Sequence, residues 1–252
     1  MAAPKMSLVP EQIDVLIIGA GAAGLMCASL AGKRGRRVLV IDHANKVGKK
    51  ILMSGGGRCN FTNLHTQSSH FISKNPNFCK SALSRYTPQD FIALIEKHRI
   101  PYHEKKLGQL FCDNKAKDIL EMLISECQQS GVKLRTKCSV ESIQSTNTGF
   151  NVKTSFGPTR CDSLVIATGG LSIPTMGATG FGYQIAKQFG IHVEPTQAAL
   201  VPLIANNRVL EKLSQLSGNS LDVIASCNHM SFRESLLFTH RGIGGPAILQ
   251  IW

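Results

Sequence analysis

Three glycines, at 19, 21 and 24, constrain this chain more than any other feature. They follow a short apolar run, Asp14-Val-Leu-Ile-Ile18, and they open residues 22–33 (AAGLMCASLAGK), where apolar groups recur at helical spacing. A second apolar run, Arg37-Val-Leu-Val-Ile41, ends in Asp42. The pattern predicts strand, helix and strand, and strands without polar alternation suit a parallel sheet covered on both faces. In such a unit the first glycine makes the tight turn, and the second lets backbone approach a pyrophosphate. The third allows close helix–strand packing, and the helix N-terminus supplies N–H groups and partial positive charge. Asp42 lies 23 residues after Gly19, at the strand end where a carboxylate accepts ribose hydroxyls. An acid there disfavours a 2′-phosphate. The unit predicts dinucleotide binding.

The remaining composition sets limits. The chain has 252 residues, 43% hydrophobic and 17% charged, as expected of a folded globular protein rather than a disordered one. No apolar run reaches the roughly 18 residues of a membrane span. The N-terminus, MAAPKMSLVPEQ, lacks a signal-peptide layout, and a cytoplasmic location is expected. Eight cysteines form no C-x-x-C pair and no zinc-finger spacing, so free and mostly buried thiols are expected and no metal site is predicted. Net charge is +12, and residues 1–64 hold nine Lys/Arg against three acids. Such a surface favours polyanions in general.

Thr87-Pro88-Gln89-Asp90 predicts a helix start, with a Thr cap and Pro at the first helical position. Residues 115–130 predict another amphipathic helix, so residues 65–130 read as mostly helical. Strand-like runs are expected at 132–143, 149–156 and 163–167, a meander ending in Thr168-Gly169-Gly170. A helix is expected near 182–189. From 194 onward the character changes to Pro-containing segments and short strands, at 220–227 and 231–239, which suggests a second domain. Residues 244–252 predict a helix opening at Pro246, and its abrupt end suggests a protein cut short.

The stretch Lys49 to Asn63, KKILMSGGGRCNFTN, raises the most specific question. Fixed polar residues follow the glycines at once, against a flexible linker. Cys59 has no cysteine neighbour within a dozen residues, against a dithiol relay. The expectation is a close-approach loop, in which glycines admit backbone to a ligand while Lys50, Arg58 and Asn60 offer donors. Arg58 suits a pyrophosphate or a carboxylate.

A late strand ending in small residues, LVIATGG, resembles the two-dinucleotide-binding flavoproteins. With SGGGRCN, ATGGLSIPTMGATGFGYQIAKQFG and FTHRGIGGPAILQ, the chain resembles the flavoprotein family that includes aminoacetone oxidases and a bile-acid 3-dehydro-reductase. It departs from that pattern at Phe181 in ATGFGY, at Gly108-Gln-Leu-Phe-Cys112 and at Gly244-Gly245-Pro246. The resemblance implies an α/β fold: a Rossmann-like FAD-binding domain at 1–193, then the start of a β-rich, substrate-side domain at 194–252. Within the first domain lie the helical stretch 65–130 and the strand meander 132–156. Non-covalent FAD is the implied cofactor, with NAD(P)H or dioxygen as redox partner. The expected cofactor contacts are Gly19, Ala20, Gly21, Ala23, Gly24, Asp42, Lys50, Gly57, Arg58, Cys59, Asn60, Val140, Thr168, Gly169 and Gly170. Val140 comes from its position in the resemblance, where adenine meets backbone.

The expected activity is FAD-dependent oxidoreduction of a small organic substrate, either an amine or an unsaturated cyclic ketone. No general acid or base is assigned, and His240 is the one histidine within a shared motif. The alternatives are a truncated, non-catalytic FAD-binding remnant and a flavoprotein acting on tRNA. The charge motivates the tRNA reading, but no aromatic-interleaved basic platform is visible in the sequence, so nucleic acid is not expected as a partner.

Overall fold

The computed structural model describes residues 10–251. The expectations for the first nine residues and for the chain end at Trp252 fall on residues outside this range. Two compact units meet at residues 191 and 192.

The first unit opens with β1 (Glu11–Ile18), α1 (Ala22–Lys33) and β2 (Val38–Ile41). The alternation within these strands explains their unbroken apolar character. Ile17, Val38 and Val40 bury into one core, while Leu16, Ile18, Leu39 and Ile41 bury into another. Along Leu16–Ile18 and Val38–Ile41 the sheet is covered on both faces and leaves no position for a polar residue, whereas Glu11, Gln12 and Asp14 stand in the less buried start of β1. The guanidinium of Arg37 grips Asp14 Oδ1 at 2.6 and 2.9 Å, tying the start of β2 to β1.

Next come α2 (Lys49–Met53), β3 (Asn60–Asn63), α3 (Lys80–Arg85), α4 (Pro88–Lys97), β4 (Tyr102–Glu104), β5 (Gln109–Cys112) and α5 (Ala116–Gln129). The expectation of a mostly helical 65–130 is corrected here: β3, β5 and β4 form a small antiparallel sheet. Its strands are only three or four residues long, too short to show a clear period of two. Thr87 caps α4 as predicted, accepting from the Asp90 N–H while Asp90 Oδ2 accepts the Thr87 N–H at 2.7 Å.

Helix α5 buries Ile119, Leu120, Met122, Leu123, Glu126 and Cys127, a stripe at helical spacing. Glu126 is almost fully buried, yet it meets Lys33, Lys97 at 2.7 Å and His98 at 2.7 Å. One carboxylate thus joins α1, α4 and α5. Burial alone would raise its pKa, but the three partners outweigh that and hold it down at about 2.

The chain then forms β6 (Lys133–Arg135), β7 (Val140–Thr146), β8 (Gly149–Thr154), β9 (Gly157–Ile166) and α6 (Phe181–Gln188). The expected single strand at 132–143 is in fact two strands on opposite edges of the sheet, whose order is β6-β2-β1-β9-β8-β7. β6 adds in parallel to β2, so the meander is β7-β8-β9. β9 returns in parallel beside β1, pairing Ile18 with Ile166. That register brings residues 167–170 to the same sheet end as the first glycine turn.

The second unit contains β10 (Leu203–Ile204), α7 (Asn207–Leu213), β11 (Ser220–Cys227), β12 (Met230–Thr239), β13 (Gly242–Gly244) and α8 (Pro246–Leu249). Its antiparallel sheet runs β10-β13-β12-β11. α8 is a single turn that buries Ala247 and Ile248. No helix among the described residues is long and apolar enough to cross a membrane.

Candidate dinucleotide site

The three glycines of the first turn have different reasons to be glycine. Gly19 has φ +111°, and a β-carbon there would meet the Ala167 carbonyl oxygen at 2.3 Å. A β-carbon on Gly24 would sit 1.9 Å from the Gly19 carbonyl oxygen. The fold therefore requires both. Gly21 is different: its φ of −88° suits any residue, and no atom lies within 4 Å of where its β-carbon would stand. Nothing in the chain explains the missing side chain.

Gly21 borders a cavity of about 1090 Å³ within the first unit. That is slightly above the range of about 300–1,000 Å³ usual for small-molecule pockets, with room for an elongated ligand. Ala22 and Ala23, the first residues of α1, also line it. Their N–H groups lack intrahelical partners, Gly21 provides no side-chain cap, and no acid stands in the first turn. The protein thus leaves a positive helix end open to an anion.

Asp42 borders the same space, and its carboxylate already has partners. Oδ2 accepts the Ala20 N–H and Oδ1 accepts the Ala44 N–H, both at 2.8 Å. Asp42 therefore braces the glycine turn against the end of β2. Each oxygen retains a second lone pair, so the side chain can still accept from a ligand.

At the end of β9, Thr168 and Gly169 form part of the wall, and Thr168 Oγ1 is buried without a hydrogen-bond partner among the described residues. An unpaired buried hydroxyl is costly, so this one points to a missing partner. Val140 lines the wall where β7 begins, next to a register shift against β8. Lys50 lines it too, with Nζ donating to Ser172 Oγ at 3.1 Å.

The glycine-rich stretch is not one loop. Lys49–Met53 form α2, with Ile51 buried, and only the residues beyond form the turn. Gly55, Gly56 and Gly57 have φ of 56°, 65° and 87°, and Cys59 follows at 53°. This run of left-handed backbone brings Cys59 inward, where it is buried and lines the cavity, and leaves Arg58 exposed outside the wall. Gly57 and Gly170 also lie outside the wall, and Gly24 serves packing. Asn60 is on the wall, but its amide nitrogen donates to the carbonyls of Leu110 at 3.2 Å and Thr62 at 3.1 Å. Of the three donors expected to face a ligand, the Asn60 amide is thus used within β3 and β5, Arg58 lies outside the wall, and Lys50 borders the cavity.

Cys59 also has a neighbour that spacing along the chain does not reveal. Pairing of Asn60 with Phe111 sets Cys112 beside it, and the Cys112 N–H donates to the Arg58 carbonyl at 3.0 Å. Burial raises both thiol pKa values, that of Cys112 to about 12, with Cys59 adding to the effect. Both thiols are protonated near neutral pH and weak as nucleophiles.

Further wall residues are absent from the sequence-based set: Thr66, Leu83, Tyr86 and Phe91 on one side, and Met176 to Thr179 on another. No local motif marks the first group, whereas Met176 to Thr179 lie within the shared stretch ATGGLSIPTMGATGFGY. Ile119 and Leu123, also on the wall, could have been suspected from their shared face on α5. The described residues contain no cluster of His, Cys, Asp and Glu able to hold a metal ion.

The model of the HI0933-like protein Rossmann domain matches residues 13–248. A ribosomal RNA dihydrouridine synthase of Escherichia coli is 54% identical over 96% of this chain and 60% of its own length. A 3-dehydro-bile acid delta(4,6)-reductase of Clostridium scindens is 28% identical over 93% of this chain and 58% of its own. The chain thus spans about 60% of the length of these curated relatives. Among solved structures, the open conformation of a flavocytochrome c3 fumarate reductase aligns with a TM-score of 0.54 at 22% identity. It covers 84% of this chain and 47% of that one, a likeness of fold.

Proposed function

From the premise that the chain belongs to the HI0933-like Rossmann-domain family, we propose that it binds FAD and serves an oxidoreductase that saturates a uridine in ribosomal RNA. The observation that carries FAD binding is Gly21: its missing side chain leaves open the place where a pyrophosphate meets the start of α1. The substrate reading rests on the relative that shares 54% of its residues with this chain.

The relatives' names suggest a common chemistry. Uridine carries a C5–C6 double bond conjugated to the C4 carbonyl, and a 3-dehydro-bile acid with delta(4,6) unsaturation is likewise a conjugated ketone. Saturating either takes a hydride at the carbon distant from the carbonyl and a proton at the adjacent one. FAD, when bound, supplies the hydride. This favours the unsaturated-carbonyl substrates expected from sequence over amines, and extends them from small molecules to a base within RNA.

The chain's own residues have distinct tasks in this reading. The Ala22 and Ala23 N–H groups hold the pyrophosphate, and Asp42 accepts from a ribose while bracing the turn. The backbone around Val140 meets adenine, and the Thr168 hydroxyl donates into the site. Leu83, Phe91, Ile119 and Leu123 keep water from the cavity wall. The β-rich unit after residue 191 is assigned to the substrate side. NAD(P)H is the proposed electron donor.

The test is spectroscopic. Purified protein should carry visible flavin absorbance, lost in Gly21→Val without loss of fold. Flavin reduced anaerobically should be reoxidised by protein-free ribosomal RNA and not by a steroid enone. A colourless, folded wild-type protein sinks the FAD assignment, and reoxidation by the enone alone favours the small-molecule reading.

A further inference from the structure

We propose that the exposed segment from His65 to Tyr86 is the surface on which this protein holds RNA, an inference that rests on the RNA-substrate reading above. Between Asp42 and Asp90 the chain has no acidic residue, yet it carries seven Lys/Arg. The acids at the two ends are occupied, since Asp42 accepts from Ala20 and Ala44, and Asp90 from Thr87.

Exposure supplies the second observation. Phe71 is 48% exposed and Phe78 is 81% exposed, with Ile72 beside them at 93%. A folded protein seldom leaves two phenylalanines open to water within eight residues unless something covers them. Lys74 lies between these rings along the chain, Lys80 and Arg85 follow them, and all three are exposed. Among the described residues, neither Lys80 nor Arg85 has an acidic partner. Flat apolar faces next to cations match unpaired nucleotides, whose bases stack on aromatic rings while their phosphates meet Lys and Arg. A purely apolar protein partner would leave the cations without a role.

Position completes the case. Thr66, Leu83 and Tyr86, from the same segment, line the cavity. RNA held on Phe71 and Phe78 would therefore lie beside the proposed flavin site, where a base unstacked from its neighbours can enter. Unstacking is what chemistry on a base requires. Spacing alone does not disclose this platform, because Phe71 and Phe78 stand seven residues apart, as two residues of one buried helix face would, and read equally well as core residues.

The test uses flavin-loaded full chain and a short fluorescein-labelled oligouridylate, titrated by anisotropy at rising salt. Phe71→Ser/Phe78→Ser should weaken binding by about tenfold or more, as expected for lost base stacking. Lys80→Gln/Arg85→Gln should lower the slope of log affinity against log salt by about 1.4, from about 0.7 per phosphate contact. Thermal melting and flavin content should match wild type in both variants, because all four side chains are exposed. Unchanged RNA binding in both variants overturns this surface and leaves the RNA-substrate reading standing. No RNA binding by wild type overturns both. Loss of binding to phosphatidylglycerol vesicles, with RNA binding unchanged, overturns it in favour of a membrane surface.

Discussion

A β-carbon on Gly24 would stand 1.9 Å from the carbonyl oxygen of Gly19, so the first turn of α1 is pressed directly against the end of β1. The obstacle is backbone, which cannot rotate away as a side chain can. Gly24→Ala should therefore destabilise the first unit by about 3 kcal/mol, the upper part of the usual overpacking range. Gly21→Ala, three residues earlier, meets open space and should leave stability within about 0.5 kcal/mol while weakening flavin retention. Paired denaturant unfolding and flavin titration separate the two, and equal destabilisation would refute the distinction.

Asp42 links the glycine turn to β2 through hydrogen bonds at 2.8 Å from Ala20 and Ala44. Asp42→Ala removes a charged acceptor from both N–H groups and should cost about 2 kcal/mol in urea unfolding, even without flavin. If the cost appears only in the flavin-loaded protein, the carboxylate serves the ligand alone.

Glu126 should make the protein acid-sensitive. Its folded pKa, about 2, lies below the ordinary value of 4.5, so the folded state favours the ionised form. The stabilisation is complete above about pH 4.5 and is lost as pH falls towards 2. Glu126→Gln leaves Lys33, Lys97 and His98 without their shared anion and should cost about 3 kcal/mol at neutral pH. The variant should also show a flatter stability profile between pH 5 and 3, measured by chemical denaturation at each pH; an unchanged profile would count against the cluster.

Thiol chemistry offers a fourth check. Burial raises the pKa of both Cys59 and Cys112, whereas Cys227 is exposed. Iodoacetamide at pH 8 should label Cys227 first and leave the buried pair largely unmodified until denaturant is added, as read by peptide mass. Rapid labelling of Cys59 in the native state would show a thiolate that the structure does not support.

Much of the site was legible in the chain, for reasons visible in individual residues. Gly19, Gly24 and Asp42 act within a single β-α-β unit, whose local spacing puts them together. Thr87 and Asp90 cap α4 across three residues, so their pairing is readable as well. The split of 132–143 between two sheet edges was not legible, because strand propensity does not say which neighbour a strand will find. Nor were the fates of Arg58 and Asn60. Their direction depends on successive left-handed residues and on carbonyls from β5, fifty residues away.

The sequence by itself determined that a glycine turn joins an apolar strand to a helix and that an acid ends the next strand. These are short-range features, set by sterics and periodicity. Tertiary structure decided the rest. Parallel return of β9 beside β1 brought Thr168 to the glycine turn, antiparallel pairing set Cys112 beside Cys59, and folding left Phe71 and Phe78 in water. Those outcomes depend on which distant segments bury against one another, a cooperative choice that no local window contains.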